Sequence, residues 1–203
     1  MIKAIIFDIG NVIYNFDNNL FLNKISKHTE HSAAELNELI YESSTLPKQY
    51  ETGLLTSDEF FDSITDLCDL SISKNDFIEA YTNIYTPIAP TFDLIRNLRP
   101  NYKLALLSNT CEWDIEYGIK PRMGELFDAF DAVSLSFEIK AMKPREEIFL
   151  DVLEKLKLRP EECIYIDDIK EYTDAASKLG INGVHYTSHT ELIADLARLG
   201  VHT

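Results

Sequence analysis

Five short apolar runs, separated by helix-patterned sequence, leave this chain few folds to choose from. They lie at 3–7 (KAIIF), 103–107 (KLALL), 132–135 (AVSL), 163–166 (CIYI) and 183–186 (GVHY). Hydrophobicity that is continuous over four or five residues marks strands buried on both faces, as in a parallel sheet. Helical patterns fall between them. Residues 144–156 read PREEIFLDVLEKL, with Pro144 at an expected first helical position, Glu146 and Glu147 in the first turn, and Ile148, Val152 and Leu156 four apart. Residues 173–179 read as a second helix, with Gly180 as its stop. Strands that alternate with helices predict βαβ units, hence an α/β fold with a Rossmann-like parallel sheet flanked by helices.

The stretch 15–87 is different. It is polar and helix-patterned throughout, with segments such as SAAELNELIYES and SDEFFDSITDLCDL, and Ser57 before Phe60 and Phe61 reads as an N-cap. No strand-like run interrupts it, and TPIAP at 86–90 reads as a linker. The expected organisation is an α/β core of residues 1–14 and 88–203, with 15–87 as a small helical cap inserted after the first strand.

Charge and cysteine usage narrow the partners. The 34 acidic and 19 basic residues give a net charge of −15, which repels nucleic acid and leaves a small molecule as the expected partner. The three cysteines form no CxxC pair, so neither a disulfide framework nor a zinc site is expected, and a reducing cytoplasm fits best. The few apolar residues before Asp8 are too short for a signal-peptide core or a membrane span. Nothing in the sequence sets an oligomeric state.

In an open parallel sheet, ligands bind beyond the carboxyl ends of the strands. The first run is followed by Asp8, Gly10 and Asn11, the second by Ser108, Asn109 and Thr110, and the fourth by Asp167 and Asp168, with Lys143 just before a helix. Singly, each has a plain explanation: an Asp after a strand commonly caps a turn, a Ser-Asn pair caps a helix, and a lysine is solvated. Together they crowd one sheet edge. Gathered carboxylates raise each other's pKa unless a cation lies among them. Mg²⁺ takes one or two carboxylates plus water and substrate phosphate. A carboxylate can also attack phosphorus, with ammonium, hydroxyl and N–H groups holding the phosphoryl oxygens.

FDIGNV at 7–12, LLSNT at 106–110, KP at 143–144 and YIDD at 165–168 resemble, in order, the four motifs of the haloacid dehalogenase-like superfamily. The stretch YETGLLTSDEFFDSI also resembles the cap of its sugar-phosphatase branch, which carries Asp-x-Gly-Asn in the first motif. The resemblance implies a Mg²⁺-dependent phosphatase acting on a small phosphorylated metabolite, a sugar phosphate foremost. It implies Asp8 as nucleophile, and Mg²⁺ held by Asp8, the Gly10 carbonyl and Asp168, with Asp167 assisting. Ser108, Asn109 and Asn11 are then expected around the substrate phosphoryl group, Asn109 also supporting its loop, and Lys143 bridges Asp8 and phosphate.

One departure stands out. Most phosphatases of this superfamily place a second Asp, the general acid, where this chain has Gly10. Such an acid is worth about 10²–10⁴-fold in rate. Asp17 and Asn11 are the substitutes within reach in sequence, and without one, anomeric sugar phosphates and acyl phosphates should outpace primary alkyl phosphates. Two rival readings follow: a metal-independent 2-haloacid dehalogenase attacking carbon from the same Asp8, and a non-enzymatic metabolite- or protein-binding member. Trp113, Tyr117 and Tyr14 read as core or cap-interface aromatics before pocket residues, Cys111 as structural, and Lys120, Arg122 and Arg145 as solvated surface; His185 and His189 form no metal-ligand spacing.

Overall fold

Alternate residues of each central strand point to opposite faces, and both sets are apolar, so the sheet needs a helical layer on each side. A computed structural model describes residues 1–202. Strand β1 (Ala4–Phe7) is followed by a short β2 (Tyr14–Phe16). Five helices come next: α1 (Asn18–Ile25), α2 (Ala33–Asn37), α3 (Leu46–Glu51), α4 (Ser57–Leu67) and α5 (Lys74–Thr82). Strand β3 (Tyr85–Pro87) and helix α6 (Ala89–Leu98) lead back to β4 (Lys103–Ser108). The remainder runs α7 (Lys120–Met123), β5 (Ala132–Leu135), α8 (Ser136–Ile139), α9 (Glu146–Leu156), β6 (Cys163–Asp167), α10 (Lys170–Lys178), β7 (Asn182–His185) and α11 (His189–Arg198).

The main sheet has five parallel strands in the order β5-β4-β1-β6-β7. Ile5, Phe7, Leu104, Leu106, Ile164 and Ile166 meet α6 and α11 on one face. Ala4, Ile6, Ala105, Leu107, Cys163 and Tyr165 meet α9 and α10 on the other. Phe149 on α9 is fully buried edge-on against Tyr165, and truncating it to Ala should cost about 3–5 kcal/mol. No helix among the described residues is long and apolar enough to cross a bilayer.

The helical insertion has its own core, in which Phe21, Tyr50, Phe60, Phe77 and Tyr81 pack ring against ring. Cys111 and Trp113, which follow β4, are buried in that same cluster. The absence of strands expected for 15–87 needs correcting. β2 and β3 pair antiparallel at the two ends of the insertion, with Tyr14 opposite Pro87 and Phe16 opposite Tyr85. The expected linker at 86–90 is therefore the end of this ribbon and the start of α6. Three-residue strands are too short to show a period, and their partners lie far apart in sequence.

Two helix starts also move. α9 begins at Glu146 with Arg145 extended before it, so Pro144 lies outside the helix and not at its first position. α4 is capped by Thr56, whose side chain and Glu59 form a reciprocal capping box. Ser57 instead lies inside the helix, its hydroxyl buried 2.7 Å from the Tyr50 hydroxyl and donating to Glu112.

Candidate active site

Because β1, β4 and β6 run parallel, their carboxyl ends reach the same edge. Phe7 is in register with Leu106 on one side and Ile166 on the other. The next residue, Asp8, extends the ladder by donating its N–H to the Ile166 carbonyl at 2.9 Å. Asp8, Ser108 and Asp167 thus emerge side by side at the strand ends, all buried.

Lys143 comes to this edge from the segment before α9, with its side chain almost fully buried. Its ammonium donates to Asp8 Oδ1 at 2.9 Å and to Asp167 Oδ2 at 2.7 Å. Asp167 has further partners: Oδ2 also accepts from the Tyr165 hydroxyl, and Oδ1 accepts the Ile169 N–H at 2.7 Å. Burial raises the Asp8 carboxyl to about 6; Lys143 opposes this and Asp167 adds to it. Burial also works against the Lys143 ammonium, but Asp8 and Asp167 together outweigh it and hold its pKa above the ordinary lysine value.

Asp168 completes an acidic cluster. One carboxylate oxygen from each of Asp8, Asp167 and Asp168 lies within 4.8 Å of the others. Three hard oxygen donors, with a single ammonium between two of them, suit a small divalent cation such as Mg²⁺. Asn11, in the left-handed region at φ 51°, donates its side-chain amide to Asp168 Oδ2 at 3.0 Å. A His185 ring nitrogen lies 2.9 Å from the Asp168 carbonyl oxygen.

Ser108, Asn109 and Thr110 line a cavity between the sheet edge and the helical insertion, together with Gly10, Glu51 and Asp114. Asn109 is turned toward Lys143: it accepts the Lys143 N–H at 2.8 Å and donates to the Lys143 carbonyl at 3.2 Å. Thr110 donates its N–H to the Ser136 hydroxyl at 2.9 Å, and that hydroxyl donates to the Glu51 carbonyl at 2.5 Å. One serine thereby ties the end of α3 to the loop after β4. Burial first, and Asp114 second, raise the Glu51 carboxyl to about 7 against the pull of Lys143.

The candidates read from sequence divide into groups. Asp8, Lys143, Asp167 and Asp168 meet at one point, with Asn11 fastened to Asp168. Ser108 and Gly10 border the cavity. The side-chain amides of Asn11 and Asn109 are both engaged with protein groups. Of the substitutes for a general acid, Asp17 is exposed and caps α1 by accepting the Asn19 N–H at 2.9 Å. Tyr14 and Trp113 are buried as expected, whereas Tyr117 is exposed, on the outer side of a turn of π-helix whose Ile115 and Ile119 are buried. Tyr165 was missed, although a strand's two-residue period puts it on the same face as Asp167. Glu51 had no local signal at all.

A family model described as haloacid dehalogenase-like hydrolase matches residues 2–180. The D-ribitol-5-phosphate phosphatase of Bacteroides thetaiotaomicron is 27% identical over 89% of this chain and 89% of its own length. A predicted HAD-like family hydrolase from Porphyromonas gingivalis has a structure that superposes with a TM-score of 0.84 at 26% identity, covering 100% of both chains. A HAD family enzyme from Bacteroides thetaiotaomicron, crystallised with magnesium and inorganic phosphate, gives 0.78 at 27% identity, over 94% of this chain and 99% of that one.

Proposed function

The chain belongs to the haloacid dehalogenase-like hydrolases, and from that membership and the geometry of its site we propose that it is a phosphatase of small phosphate esters, sugar or polyol phosphates foremost. The observation that carries this reading is the buried Lys143 ammonium bonded to both Asp8 and Asp167, with Asp168 alongside. A nucleophile needs a carboxylate held in place, and phosphoryl transfer needs positive charge beside it. The relatives named as phosphatases, and the neighbour holding magnesium and phosphate, support it.

In this reading Asp8, Asp168 and the Gly10 carbonyl would hold Mg²⁺, and Asp167 chiefly fixes Lys143. A cation held there would supply Lewis-acid charge for phosphoryl transfer. Asp8 attacks phosphorus in line, the alcohol departs, and an aspartyl phosphate on Asp8 is then hydrolysed by water. Lys143 orients the Asp8 carboxylate and takes up charge developing on the phosphoryl group. The Ser108 hydroxyl holds a phosphoryl oxygen, while Asn109 and Asn11 act indirectly, one through Lys143 and the other through Asp168. Residues 15–87 form a cap that excludes water from the site. Three carboxylates at the strand ends favour a cation-assisted reaction over metal-free attack on carbon.

The test is a phosphate-ester panel assayed with Mg²⁺, with EDTA, and with Asp8→Asn. Turnover with Mg²⁺ that falls to background in EDTA and in the variant is expected. Turnover of a 2-haloacid that persists in EDTA would transfer the assignment to the dehalogenases. Inactivity across both panels would leave a binding protein.

A further inference from the structure

Gly10 is more than a missing side chain. A Cβ built there stands 3.1 Å from the Phe16 ring, so any side chain at this position would crowd that ring. Asp17 is spent on capping α1 and Asn11 on holding Asp168. Glu51 borders the same cavity as Gly10 and Ser108.

Resting on the phosphatase reading above, we infer that Glu51, at the end of α3, is the general acid that protonates the leaving oxygen. Three contacts fix it against the core. Its carbonyl accepts from Ser136 at 2.5 Å, and the Thr52 hydroxyl lies 3.0 Å from the Met142 sulfur. Gly53, at φ +68°, lies so close to the core that a Cβ there would stand 2.1 Å from the Phe137 carbonyl oxygen. Residues 51–53 are therefore registered on residues 136–142 of the core, and through Ser136 on the loop that follows Ser108, although they belong to the inserted segment.

The surroundings suit a proton donor. Asp114 and Lys143 face Glu51 from the core, with Cys111 and Tyr85 nearby, and Tyr41 and Tyr81 face it from the insertion. Burial and Asp114 raise its carboxyl to about 7, so a substantial protonated fraction exists at neutral pH. One Asp114 oxygen has no hydrogen-bond partner among the described residues, and the other accepts from the Cys111 thiol at 3.2 Å.

The proton balance is simple. As an Asp8 oxygen bonds to phosphorus, the ester P–O bond breaks and its electron pair goes to the leaving oxygen. That oxygen takes the Glu51 proton and departs as the alcohol. Glu51, now a carboxylate, accepts a proton from the water that attacks the aspartyl phosphate. Inorganic phosphate leaves, and Asp8 and Glu51 return to their starting states.

The experiment compares Glu51→Gln with the native, Mg²⁺-loaded protein on two esters. One is the alkyl phosphate turned over fastest in the panel, and the other is p-nitrophenyl phosphate, whose leaving group needs no proton. The expected loss in kcat/KM is about 10²-fold or more on the alkyl ester and less than about 10-fold on the aryl ester. A burst of p-nitrophenol should precede slow turnover in the variant, because the later water step loses its base. In the native protein, alkyl-ester kcat/KM should fall as pH rises through about 7, as Glu51 deprotonates, while the aryl ester lacks that limb. Equal losses on both esters, no loss on the alkyl ester, or the same falling limb for both would overturn the assignment. Native inactivity on every ester would remove the phosphatase reading beneath it as well. A native protein that strongly prefers glucose 1-phosphate to glucose 6-phosphate, with a ratio unchanged in Glu51→Gln, would restore the expectation of a site without an acid.

Discussion

The Asn109 side-chain amide meets the Lys143 backbone twice, accepting its N–H at 2.8 Å and donating to its carbonyl at 3.2 Å. The amide matches donor to acceptor across a gap of 34 residues, and so sets where the lysine side chain begins. Lys143 then reaches two carboxylates from one fixed origin.

Replacing Asn109 with Ala should therefore act through Lys143. Loss of position at a reacting centre is expected to lower kcat by about 10–10²-fold while KM changes little. A rise in KM with kcat intact would instead assign the amide to ground-state substrate binding.

Lys143→Met leaves Asp8 and Asp167 buried without their shared cation. Breaking a buried ion pair from one side costs about 3–5 kcal/mol. For a chain of this size that lowers Tm by roughly 10 °C, readable by thermal unfolding in EDTA. Adding Asp8→Asn to Lys143→Met should recover part of the loss, since one of the two unpaired carboxylates is gone. No recovery would mean that the lysine contributes by packing its stem.

Mg²⁺ that binds only the folded state should stabilise it. At a hundred times its Kd the gain is about 2.7 kcal/mol. Native protein should thus show a Tm that rises with Mg²⁺, and Asp168→Asn should show a much smaller rise. An equal rise in both would place the cation elsewhere.

Glu162 gives a pH signature remote from the site. The hydrogen bond from Lys3, then that from the Arg159 N–H, hold its carboxyl at about 2 in the folded state. Its ordinary value of 4.5 applies to the unfolded chain. Since the folded pKa is depressed, this stabilisation is present above about 4.5 and disappears as pH falls toward 2. The Tm gap between native protein and Glu162→Gln should accordingly narrow over that window. A constant gap would tie the effect to the neutral side chain.

Much of this protein is legible in one dimension. Strand β5 falls where the sequence predicts it, and β1, β4, β6 and β7 within one residue at either end. Burial on both faces makes the apolar runs continuous. The polar residues that end those runs share an edge because parallel strands share a direction. Asp8, Ser108 and Asp167 could thus be grouped from order alone, and Lys143 joined them through its motif.

Other features arise only when distant segments meet. The β2–β3 ribbon pairs residues about seventy positions apart, and no local pattern marks three-residue strands. Phe16 crowds Gly10, Ser136 ties Glu51 to Thr110, and Asn109 holds the Lys143 backbone. In sequence Glu51 is one of 34 acidic residues, with nothing local to set it apart. Its raised pKa and its place in the cavity beside Gly10 and Ser108 depend on neighbours such as Asp114, supplied by the other part of the chain. Side-chain type and strand order are written locally, but desolvation and hydrogen-bond partnership depend on what the fold brings within a few ångströms.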